Sequence, residues 1–141
     1  MVRALEFVMK TNGWDRREAL VWVDCSAIPQ SHPGIQGLAI RSVTAYASTA
    51  SAFIIVAPRC THSNLGTPCD VKSYQRRVWC RAEQACHSLC NGTEHMWLAD
   101  EHGCAPINAT WFEDALRVFQ GELTCCRLSS RRTRAALCRA S

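Results

Sequence analysis

The sequence predicts a single α/β domain, with a short parallel sheet flanked by helices. Two observations carry that expectation. Short apolar runs of strand length alternate along the chain with longer segments of helical period. The composition, 48% hydrophobic and 20% charged over 141 residues, is that of an ordinary globular chain able to bury its own core.

The elements follow in order. Val2, Leu5, Val8 and Met9 recur at spacings of three and four, which predicts an amphipathic helix over 2–12 ended by Asn12-Gly13. Ala19 to Asp24 is short, apolar and rich in β-branched and aromatic residues, and reads as a buried parallel strand closed by a carboxylate. Pro29 and Pro33 mark residues 25–34 as a loop. Ile35, Leu38, Ala39, Val43, Tyr46, Ala47 and Ala50 share one helical face, and Phe53–Ala57 is the clearest strand, stopped by Pro58. A loop over 59–72 precedes a Gly- and Pro-free helical stretch from Tyr74 to Cys90, then a third strand over His95–Asp100. A final helix is expected over Trp111–Phe119, with Thr110 and Glu113 as its capping box.

Charge is unevenly placed. The net charge is +4, yet five arginines (Arg127, Arg131, Arg132, Arg134 and Arg139) follow the last acid, Glu122. Without them, 11 basic residues face 12 acidic ones, so the body is near neutral. The expected division is a domain over 1–126 and a basic tail over 127–141, read as a solvated end rather than a nucleic-acid arm. No apolar run approaches the ~20 residues that cross a bilayer. Met1–Glu6 carries an acid and no long apolar stretch, so no secretory signal is read there and a cytoplasmic location is expected. In that setting the ten cysteines are read mostly as small buried hydrophobes, and the triplets at Asn91 and Asn108 carry no weight as glycosylation sites.

Two segments go beyond periodicity. Trp22-Val23-Asp24 followed by Ile28-Pro29-Gln30 resembles the Trp-x-Asp…Ile-x-Gln motif of heterokaryon-incompatibility (HET) domains. Tyr74 to Glu83, with its Tyr-x4-Trp-Cys-x2-Glu spacing, resembles the third-helix motif of Toll/interleukin-receptor (TIR) domains. The resemblance extends over roughly residues 1–120 in element order. It implies a flavodoxin-like three-layer fold with a short parallel sheet, whose first strand would be missing here. It also implies an NAD glycohydrolase chemistry centred on Glu83, with Asp24, Ser26 and Trp79 lining the cleft. NAD would then be a substrate, with no resident cofactor, and like domains would be the partners of a signalling or self-association module. Arg77 stands where the family usually has serine.

A carboxylate suits that reaction because loss of nicotinamide builds oxocarbenium-like charge on the ribose. Helical spacing sets Trp79, Glu83 and either Cys86 or His87 along one side of a helix. Simpler readings stand beside these: Glu83 pairing with Arg76, Arg77 or Arg81, Asp24 capping a turn, and Trp79 and Tyr74 packing in the core. A non-catalytic interaction domain is the alternative function. A Cys/His metal-stabilised domain is weaker, since Cys60, His62 and Cys69 lack the paired short spacings of a zinc site.

Overall fold

A computed structural model describes residues 1–28, 31–62, 66–108, 110, 111 and 113. The chain opens with helix α1 (Val2–Asn12), which buries Ala4, Val8 and Met9. Gly13 ends it in the left-handed conformation, φ 70° and ψ 26°. The Gly13 amide reaches the Lys10 carbonyl at 3.4 Å and the Trp14 amide the Met9 carbonyl at 2.9 Å. Two orphan carbonyls are thereby satisfied in a Schellman arrangement.

The expected strand over Ala19–Asp24 is absent: residues 19–23 form no strand, and Asp24 opens a one-turn helix, α2 (Asp24–Ala27). A buried parallel strand needs hydrogen-bonding neighbours and covered faces. This segment has Leu20 almost fully exposed, at 99%, and Val21 at 52%. Trp22 instead stacks on Tyr46, with ring centroids 5.1 Å apart and planes 14° from parallel. Apolar composition is the misleading signal, because a run of this length does not specify its pairing partner.

Helix α3 (Pro33–Thr49) starts with proline at its first turn, where no amide is needed, and buries Val43 and Ala47. It feeds strand β1 (Phe53–Val56) as expected. A small hairpin, β2 (Cys60–Thr61) and β3 (Pro68–Cys69), occupies part of the expected loop. The long helix expected over 74–90 is two helices, α4 (Val71–Arg76) and α5 (Val78–Asn91). The first begins earlier than expected because Asp70 and Ser73 form a reciprocal capping box. Arg77, extended at φ −80° and ψ 123°, is the joint between the two.

Strand β4 (Met96–Ala99) follows, then β5 (Cys104–Pro106), which periodicity does not reveal. Asp100 builds the turn between them, its Oδ1 accepting from the amides of His102 at 2.8 Å and Gly103 at 3.2 Å. The sheet order is β1-β4-β5, with β1 and β4 parallel and β5 antiparallel at the edge. Pro106, which donates no amide, suits that edge. The coarse class is therefore α/β with a small mixed sheet.

Helices cover both faces. Phe7 of α1 meets Trp97 edge-on at 6.0 Å, on one face of β4. On the other, His87 of α5 lies 5.5 Å from Phe53, which pairs with Met96. The core between these layers includes Ile55 and Met96, at 1% and 0% exposure. Helices α3 and α5 run side by side in the same direction, tied near their ends by His87 Nδ1–H to the Ala47 carbonyl (2.9 Å) and Asn91 to the Ser48 carbonyl (2.6 Å). Both then turn back into the parallel pair β1 and β4.

At the far end, Thr110, Trp111 and Glu113 are helical. The cap is Asn108, not Thr110: Asn108 Oδ1 accepts from the Trp111 amide at 2.9 Å. The rest of the expected final helix and the basic tail over 127–141 lie outside the described residues. Among the described residues no helix is long and apolar enough to cross a membrane.

Candidate functional site

Glu83 lies on α5, on the flank of its buried face, one turn before His87 and one turn after Trp79. Burial of the carboxyl raises its pKa to about 7, with the nearby Asp24 charge adding to the rise and the Arg77 guanidinium acting the other way. Two mechanisms thus agree in sign, since desolvation and a like charge each disfavour the ionised form. Of the arginines named as ion-pair partners, Arg77 acts on Glu83, and burial outweighs it. An exposed carboxylate held by an arginine would be shifted downward.

Asp24 acts on Glu83 by its charge, from a different element. It is half-buried at the first position of α2, where the turn is held by amides of Ser26 and Ala27 on the Val23 carbonyl at 3.1 and 2.8 Å. Its place beside Glu83 therefore comes from a helix start and not from the strand end that the sequence suggests.

Three further residues join the pair. The Tyr74 hydroxyl is pushed well above its ordinary pKa by burial, with Cys80, Glu83 and Asp24 adding to the rise and Arg77 opposing it. Tyr74 keeps part of its surface in solvent, so its enclosed end is the hydroxyl. Cys80 is buried at 4% exposure. Arg77, Cys80 and Glu83 recur every third residue, a spacing that could flag them as neighbours. Read from the sequence, Tyr74 belongs to packing, and Arg77 is a departure from a motif and one of three candidate ion-pair partners of Glu83. The joint at Arg77 leaves that guanidinium acting on Glu83 and Tyr74, and helix breaks of this kind leave no clear mark in periodicity.

The other expected residues are placed less centrally. Trp79 is half-buried on α5, and Ser26 is exposed on α2. His87 is fully enclosed and bonded to Ala47, so it belongs to the packing between α3 and α5. Cys86 is half-buried, and the Glu83 charge is among the influences raising its thiol pKa. Pro29 and Gln30 lie outside the described residues. Among the described residues no three His, Cys, Asp or Glu side chains converge as a set of metal ligands.

Chemically, the cluster offers a carboxyl close to half-ionised at neutral pH, a second carboxylate beside it, and a guanidinium. Glu83 can exchange a proton near pH 7, and the cluster's negative charge can stabilise positive charge developing on a bound group. Compared with known proteins, the chain matches no family model, no curated protein and no solved structure.

Proposed function

We propose that this domain is a TIR/HET-like module that cleaves NAD at the nicotinamide–ribose bond, with Glu83 as its catalytic carboxyl. The observation that carries the reading is the Asp24–Glu83 pair, in which Glu83 has a pKa of about 7. In this mechanism nicotinamide leaves as a neutral base, and the ribosyl carbon takes on positive charge. Ionised Glu83 stabilises that charge and accepts a proton from the attacking water. The products are ADP-ribose, nicotinamide and one proton. Asp24 holds a ribose hydroxyl, with Ser26 and Trp79 along the cleft. The setting is cytoplasmic, and no resident cofactor is required.

A second reading is homotypic assembly without turnover. Leu20, Val21, Ile35 and Leu38 are exposed apolar side chains, at 99%, 52%, 54% and 65%, and surfaces of this kind favour association. Incubation of the full chain with NAD, with nicotinamide release followed beside Glu83→Ala, separates the two. The catalytic reading expects release by the parent protein and its loss in the variant. Release that survives the substitution, or no release at all, overturns it. A concentration-dependent mass without turnover supports assembly alone.

A further inference from the structure

Of the ten cysteines, six lie where their surroundings can be read, and they do not form the buried set expected from the sequence. Among these six only Cys80 is buried; Cys60 and Cys90 are exposed, and Cys69, Cys86 and Cys104 are half-buried. Two of the accessible thiols are brought together by the backbone. In the β2–β3 hairpin Cys60 is the register partner of Cys69, next to the Thr61–Pro68 pair. Directly opposed residues of an antiparallel ladder project to the same face. Their Cα atoms are about 4.5–5.5 Å apart, inside the roughly 4.4–6.8 Å that a disulfide spans. The Cys60 side chain is also among the groups that raise the Cys69 thiol pKa, as a close neighbour would.

The geometry points to Cys60 and Cys69 as a reversible dithiol–disulfide site that exchanges with a small-molecule disulfide of the glutathione class. The exposed Cys60 thiolate attacks one sulfur of the oxidant, forming a mixed disulfide and expelling one glutathione thiolate. The Cys69 thiolate then attacks the Cys60 sulfur, closing the cross-link and expelling the second. Two protein thiols are oxidised, one glutathione disulfide is reduced to two thiols, and the two protons lost by the cysteines are taken up by the products. Register has already opposed the two residues, so closing the bond joins neighbours on one face of the ladder.

The neighbourhood sets how fast this runs. Burial and the Cys60 partner raise the Cys69 thiol pKa, while the Arg77 charge acts in the opposite direction. Closure accelerates as pH rises, since the thiolate is the nucleophile. Arg77 acts on both Cys69 and Glu83, but neither thiol belongs to the Glu83 cluster, and the exchange does not rest on what that cluster catalyses. Cys86 and Cys90 are also near one another, but they stand at i and i+4 on one helix with no opposed strand to hold them.

Peptide mapping of the full chain tests the assignment after equilibration at stepped ratios of reduced to oxidised glutathione and rapid alkylation. The expected result is a Cys60–Cys69 cross-link, with the loss of two hydrogens, at ratios where Cys90 carries at most a glutathione adduct. Cys69→Ser should lose the cross-link completely and accumulate the adduct on Cys60. Separate adducts on Cys60 and Cys69 in the parent protein, or cross-links in which other cysteines predominate, overturn the assignment. The parent protein alone decides the matter, so it stands or falls even if a serine variant folds poorly.

Discussion

Asp24, at the first position of a one-turn helix, raises the proton affinity of Glu83 on a helix far along the chain. The like charge and the burial act in the same direction, and Arg77 only partly offsets them. That relationship has consequences for stability and for chemistry that can be measured separately.

Glu83 should cost stability when ionised. Its folded pKa of about 7 lies above the ordinary value of 4.5, so its contribution is fully favourable below 4.5 and is lost as pH rises through about 7. The full shift corresponds to at most about 3 kcal/mol. Glu83→Gln should therefore stabilise the protein at pH 8 by up to about 3 kcal/mol and change little at pH 4.5. Urea unfolding at the two pH values checks the sign.

Asp24→Asn removes the like charge while leaving Glu83 buried. The Glu83 titration should move below about 7 and remain above 4.5, because burial is the larger of the two influences. Carbon-detected NMR of the glutamate carboxyls reads that shift directly. If the domain cleaves NAD, the rising limb of its pH profile should move to lower pH with it. An unchanged Glu83 titration would separate the two residues.

His87 should matter for folding rather than chemistry. It is fully enclosed, donates to the Ala47 carbonyl, and packs against Phe53. His87→Ala leaves a cavity and an unsatisfied carbonyl, at a cost of about 3 kcal/mol. Its pKa is lowered from 6.5, chiefly by burial. Its contribution is present above 6.5 and is lost as pH falls through the lower folded value. The gap between parent and variant in denaturant midpoint should accordingly narrow in acid.

Gly13→Ala should destabilise α1. The left-handed φ of 70° is where a Cβ is disfavoured, although nothing crowds the position. The expected loss is about 1 kcal/mol, read as a lower thermal midpoint. A loss near zero would mean that the end of α1 can rearrange without its Schellman bonds.

Several elements are legible in the residue pattern because local physics fixes them. The 3.6-residue period and the glycine stop mark α1, the apolar face behind Pro33 marks α3, and the dense apolar runs mark β1 and β4. Local signals also fail in identifiable ways. The Ala19–Val23 run has the composition of a strand but no partner, and the break at Arg77 lies inside an uninterrupted helical pattern. Glu83 and Asp24 can be singled out from motif spacing, whereas the enclosure of Tyr74 and Cys80 around them cannot.

Chain order and residue type were enough to specify an alternation of helices and strands, since periodicity, caps and breakers act within a few residues. Which carboxyl titrates near neutrality and which thiols face one another depended on packing. Burial and the approach of distant charges are properties of the folded arrangement, and they fall off within a few ångströms that no spacing along the chain encodes. Strand register is equally non-local: it opposed Cys60 to Cys69 by pairing two short segments whose composition says nothing about their alignment.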